Sequence, residues 1–134
     1  MTDRQINVTM WLVMVALLGW FTYFKGWILD DFQNISPQKA HELLEKPHKI
    51  LLLDVRSQEE FKKDHINNAI NIPLETLDRP NCFRDKDESI MVYSERGERS
   101  VEASRILSKR GFKNILNLEG GVVFWIRAGY EVVR

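Results

Sequence analysis

The run from Gln5 to Phe24 carries no charge over 20 residues, and 15 of them are apolar. The chain has 134 residues with 19 basic and 19 acidic side chains, yet only Asp3 and Arg4 precede Lys25. An α-helix rises about 1.5 Å per residue, so the run forms a rod roughly 30 Å long, the thickness of bilayer hydrocarbon. Trp11, Trp20, Tyr23 and Trp27 include aromatics suited to the headgroup zone, and Lys25 can extend its ammonium to water at the end. A cleaved leader needs a basic start, a shorter apolar core and a small-residue site. Here Arg4 sits beside Asp3, and the segment ends Phe21-Thr22-Tyr23-Phe24-Lys25. Residues 1–27 are therefore expected to be an uncleaved, single-pass membrane anchor with its transmembrane helix at about 5–24, so membrane lipid is an expected partner. Arg4 and the amino terminus balance Lys25 and Lys39 across the helix. The shortness of the N-terminal tail tips the expectation towards a cytoplasmic globule.

Residues 28–34 read as a connector and 35–134 as one domain. A second catalytic domain does not fit this length. The single cysteine, Cys82, excludes a disulfide framework. The balanced charge gives no footprint for nucleic acid, and no motif calls for a metal or other cofactor. Ser36-Pro37 predicts a helix start, with Ala40, Leu43 and Leu44 as its buried stripe. Ile50 to Leu53 is a continuous apolar run, the pattern of a strand covered on both faces. Ser57-Gln58-Glu59-Glu60 is a capping box opening a helix expected to bury Phe61. Ala69 to Ile72, Ile90 to Tyr93 and Asn114 to Leu118 predict further strands, with a short helix near Leu74–Leu77. A helix following Ser100 should bury Ala103, Ile106 and Leu107 and stop at Gly111. Gly120-Gly121 leads into a last helix carrying Phe124 and Trp125. The alternation predicts an α/β fold, an open and mostly parallel sheet with helices on both faces. Ligands in such sheets sit beyond the carboxyl ends of the strands. The loop Ser94 to Arg99, between a strand and a helix, is thus the expected anion cradle.

These residues also resemble a known family. Leu53-Asp54-Val55-Arg56, Glu60-Phe61, His65-Ile66, Ala69, Asn71-Ile72-Pro73, and Val92-Tyr93 with Ser94-Glu95-Arg96-Gly97-Glu98-Arg99-Ser100 are similar to the rhodanese domain. Gly111-Phe112, Leu118, Gly120-Gly121, Trp125 and Ala128-Gly129-Tyr130 complete the pattern over about residues 34–134. The whole chain resembles a membrane-anchored single-domain rhodanese. The resemblance implies sulfurtransferase chemistry through a cysteine persulfide, with that cysteine first in the pattern Cys-x-x-Gly-x-Arg-Ser. This chain has Ser94 there. The similar dual-specificity phosphatases use a loop one residue longer.

A serine hydroxyl is a much weaker acid than a thiol and needs an adjacent base to act as a nucleophile. His41, His48 and His65 are all distant from Ser94 in sequence, and His65 looks structural. An alkoxide would not carry sulfur as a persulfide does. The expectation is a module without sulfurtransferase turnover. Its loop, with Gly97 at the turn and Arg99 offering a planar fork, either binds a sulfur-containing anion or a protein partner, or is kept only for folding. The alternative is sulfur transfer by a form of the chain with Cys at 94, or through Cys82, which reads as an incidental thiol. Asp54 and Arg56 are expected to form an internal ion pair that ties loops together. Glu95 and Glu98 are expected to oppose Arg96 and Arg99 and to disfavour a free dianion. Trp125 is expected in the core. Asp64 and Asn68 replace glycines common around His65 in the family, which predicts strained backbone there, at a cost asparagine tolerates.

Overall fold

The computed structural model describes residues 3–28, 31–47, 49–79 and 86–134. The chain forms two compact units, Met1–Asp30 and Asp31–Arg134. In the first, α1 runs Asp3–Ile28, longer than the helix expected at 5–24 because no proline interrupts Lys25 to Ile28. Asp3–Tyr23 is long and apolar enough to cross a membrane, with mean hydropathy 1.6 and none of it buried. Trp11, Leu18, Trp20 and Phe21 of α1 are exposed. The Thr9 hydroxyl donates to the carbonyls of Gln5 and Ile6, and that of Thr22 to Leu18 and Gly19. Neither hydroxyl is left unpaired for an apolar medium to penalise.

The second unit is a five-stranded sheet in the order β1-β5-β4-β2-β3, parallel throughout. The strands are β1 (Gln33–Ile35), β2 (Ile50–Asp54), β3 (Ile70–Asn71), β4 (Ser89–Tyr93) and β5 (Asn114–Leu118). The helices are α2 (Pro37–Glu45), α3 (Gln58–Lys63), α4 (Glu98–Lys109) and α5 (Gly121–Arg127), with a 3-10 turn at Leu74–Thr76. Side chains alternate across the pleat, so each central strand feeds two cores. Leu52, Met91, Tyr93 and Leu118 face Ala40 of α2 and Val122 and Trp125 of α5. Leu53, Ile90, Val92 and Ile115 face Ala103 and Leu107 of α4, with Leu77 beside them. A strand buried on both sides needs apolar residues at every position, which is why β2 and β4 are continuous apolar runs.

Local packing refines or changes several expectations. β1 begins inside the segment read as a connector: it is an edge strand in which only Ile35 is buried, so it lacks an apolar pattern. Phe61 is half-buried, stacked on His65 with ring centroids 3.9 Å apart. Phe124 is 47% exposed while the neighbouring Trp125 is in the core at 4%. Trp125 donates its indole N–H to the Glu131 carbonyl at 2.9 Å. Of the two residues expected to be strained, Asn68 has φ 67° in the left-handed region, whereas Asp64 is extended at φ −160°. Because every strand runs the same way, the ends of β2, β4 and β5 lie along one edge. That edge brings together Asp54 to Arg56, the Ser94 loop and Gly120-Gly121.

Candidate functional site

The chain leaves β4 at Tyr93, turns through Gly97 at φ 104°, and enters α4 at Glu98. Among the first residues of a helix the backbone N–H groups lack intrahelical acceptors. Two of them find one in the Ser94 side chain. Ser94 Oγ accepts from the N–H of Gly97 at 3.1 Å and of Ser100 at 3.2 Å. It lies 3.3 Å from Ser100 Oγ, to which its own proton is donated, and the Ser100 hydroxyl donates to the Gly97 carbonyl at 3.0 Å. Ser94 is 1% exposed. Among the described residues no histidine or carboxylate hydrogen-bonds its hydroxyl. His65 is engaged elsewhere, its Nδ1 2.8 Å from the Phe61 carbonyl and its backbone paired with Val133. His48 and Cys82 lie outside the described residues.

α5 holds the loop from behind. The N–H of Val122 donates to the Ser94 carbonyl at 2.9 Å and that of Val123 to the Glu95 carbonyl at 3.1 Å. This approach requires glycine at 121. A Cβ there would stand 2.2 Å from the Ser94 carbonyl oxygen, and φ is +61°.

Two ion-pair systems fix the flanks. Asp54 and Arg56 form the expected internal pair, and both are buried. Arg56 Nε meets both Asp54 oxygens at 3.1 Å, and Nη2 meets Asp54 Oδ2 at 2.8 Å and the Asp64 carbonyl at 2.6 Å. Nη1 reaches Asp64 Oδ1 at 3.2 Å and Glu95 Oε2 at 3.0 Å. Burial works against the Arg56 charge, but the hydrogen bonds and charge of Asp54, with Asp64, outweigh it and raise its pKa. Asn71 Nδ2 closes the turn by donating to the carbonyls of Asp54 and Arg56. Beneath the loop, burial and the Asp54 charge raise the Tyr93 phenol, which stays neutral and accepts the Ile66 N–H at 3.1 Å.

The second system corrects one expectation. Arg99 does not direct its fork at the cradle. Nη1 and Nη2 donate to Glu60 Oε2 and Oε1 at 2.7 and 2.8 Å. Glu95 opposes the charge of Arg99 as expected, but its direct ion pair is with Arg56. Arg96 and Glu98 are exposed. The sequence identified Glu60 as the capping-box residue of α3 and as part of the family pattern, and it keeps the capping role by accepting the N–H and hydroxyl of Ser57. Its second role has no local signal, because Arg99 is 39 residues away. Asp64 and Asn71 escaped notice as site-supporting residues for the same reason.

The hydrogen bonds from Arg99, opposed by partial burial and helped by those from Ser57, lower Glu60 from 4.5 to about 2. A carboxylate depressed on folding stabilises the native state above its unfolded pKa and loses that contribution as pH falls through its folded value. The stability advantage over Glu60→Gln should be complete above about pH 5 and vanish near pH 2 in urea melts at stepped pH. Arg56→Met strands the buried Asp54 carboxylate and should cost about 3–5 kcal/mol in the same assay at neutral pH.

The profile of the rhodanese-like domain family matches residues 36–128. A thiosulfate sulfurtransferase GlpE from Coxiella burnetii is 32% identical over 94 residues, which is 70% of this chain and 87% of that protein. A sulfurtransferase from Allochromatium vinosum is 28% identical over 100 residues, 75% of this chain and 94% of its own. Among solved structures, a rhodanese-related protein from Thermoplasma volcanium superposes with a TM-score of 0.67 at 33% identity, over 75% of this chain and 97% of that one. The parallel sheet, the Ser94–Ser100 turn and these relatives agree, and the chain belongs to the rhodanese-like domain family, with sulfurtransferases among its homologues.

Proposed function

We propose that this protein is a membrane-tethered rhodanese-like module that binds an anionic group without transferring sulfur. The observation that carries this reading is the state of Ser94 Oγ, which is saturated by two backbone N–H groups and Ser100. Sulfur transfer begins with attack by a thiolate on a sulfane donor, leaving a persulfide on the enzyme. Oxygen at this position cannot form that intermediate, and among the described residues no base within hydrogen-bonding distance stands ready to ionise it.

The same turn supports anion binding. The N–H groups of Glu95, Arg96, Glu98 and Arg99 make no hydrogen bond among the described residues. Arg96 is exposed beside them with no ion pair among those residues. The anion is a sulfur oxyanion or an acidic group of a protein partner. The exposed Glu98 weakens the field for a free dianion and favours the partner.

The socket also supports a second reading, sulfur transfer by a form of the chain carrying cysteine at 94. Sulfur there would receive the N–H groups of Gly97 and Ser100, and their partial positive charge lowers a thiol pKa. In a thiosulfate:cyanide assay the chain with Ser94 should show no turnover above background, and Ser94→Cys should gain it. Turnover by the Ser94 chain that disappears in Cys82→Ser would overturn the proposal.

The anchor is part of the same proposal, with α1 holding the domain at a bilayer and the globule on the cytoplasmic side. The full chain should stay with membranes through an alkaline carbonate wash and be extracted only by detergent. Recovery of the full chain in the soluble fraction, or natural cleavage of the N-terminal helix from the recovered protein, would contradict anchoring.

A further inference from the structure

Arg99 sits where the loop enters α4, and a guanidinium there is a ready fork for an oxyanion. The fork is already filled. Both terminal nitrogens of Arg99 are bound to the two oxygens of Glu60, at 2.7 and 2.8 Å, which is the two-point geometry a sulfate or thiosulfate would need. The carboxylate is the fixed half of this pair. Its Oε2 also accepts the Ser57 N–H at 2.9 Å and the Ser57 hydroxyl at 3.0 Å, so the start of α3 holds it in place. Arg99 is the movable half, a long side chain 37% exposed.

We propose that Glu60 is an internal competitor for the oxyanion, a carboxylate of the chain's own that occupies the Arg99 fork and sets how tightly the loop holds an external anion. This rests on the reading of the Ser94–Ser100 loop as an anion site. A tethered carboxylate acts at high effective concentration. An incoming anion therefore gains Arg99 only for the fraction of time that the pair is open, and its apparent affinity falls by that fraction. Because the pair is partly exposed, the effect is moderate, about 3- to 10-fold in dissociation constant. Glu60 thus determines specificity. With Arg99 masked, the loop discriminates against ligands that depend on a bidentate arginine and favours those that use the backbone N–H groups.

The test is titration of the full chain in detergent micelles with sulfate and with thiosulfate, by calorimetry. Glu60→Gln frees the fork while keeping a side chain able to complete the capping box. It should tighten binding about 3- to 10-fold. Glu59→Gln removes the same charge from an exposed position of α3 outside the loop, without touching Arg99, and should change affinity by less than about 2-fold. The double variant Glu60→Gln, Arg99→Ala deletes the pair at constant net charge and should return to the affinity of the unaltered chain. Equal or weaker binding by Glu60→Gln, or an equal gain from Glu59→Gln, overturns the competitor role while binding by the unaltered chain leaves the anion-site reading standing. Binding by Glu60→Gln alone supports the competitor and removes anion binding from the natural chain. Binding by no variant overturns the competitor role and removes sulfur oxyanions from the ligands proposed for the loop.

Discussion

The convergence of two backbone N–H groups on one buried side-chain atom, at the point where β4 becomes α4, is the interaction on which the site depends. Gly97 at φ 104° makes the turn, and the Gly97 and Ser100 amides then point inward at position 94. The other site contacts hold that turn still. Gly121 lets α5 donate to the loop carbonyls, Arg56 ties down Glu95, and Glu60 ties down Arg99. Tyr93 and Asp54 support it from beneath, at the ends of adjacent central strands paired in register. Backbone N–H groups that converge in this way carry partial positive charge, which favours an anionic group over a neutral one. The chemistry of the turn is then decided by the element at position 94, sulfur or oxygen.

The two ion-pair systems share a logic. Each joins the loop to the segment around α3, one through Arg56 and Asp64 at its C-terminal end, the other through Glu60 in its first turn. α3 has only six residues and buries none of them fully, so apolar packing alone would hold it weakly. Charge does the work that a larger core would otherwise do. The Arg56 cluster is buried, which makes loss of one partner costly. The Arg99–Glu60 pair is partly exposed and can open, and so it suits a contact that competes with a ligand.

Much of this was legible in the sequence, for identifiable reasons. β2 and β4 announce themselves as unbroken apolar runs because both of their faces are covered. Ser57 and Glu60, Ser36 and Pro37, and Gly111 are local signals, and local hydrogen bonds answer them. The Ser94 loop was recognisable because a strand-to-helix turn needs its glycine at a fixed offset. The remainder depended on tertiary partners. β1 is polar outside Ile35, and only β5 beside it makes Gln33 to Ile35 a strand. The expected direction of Arg99 was wrong because its acceptor lies on another element. The sequence places Phe124 and Trp125 side by side on the last helix, and only the packed helix shows that Phe124 turns outward, over Gly120 and beside Arg127.

The central claim is that this turn has kept its shape while losing the atom that carries sulfur. It is tested most directly by the intact mass of the full chain after incubation with thiosulfate, beside Ser94→Cys treated alike. The account predicts one added sulfur atom on the cysteine form, removable by cyanide, and no change in mass for the chain with Ser94. A cyanide-labile sulfur adduct on the Ser94 chain would contradict it.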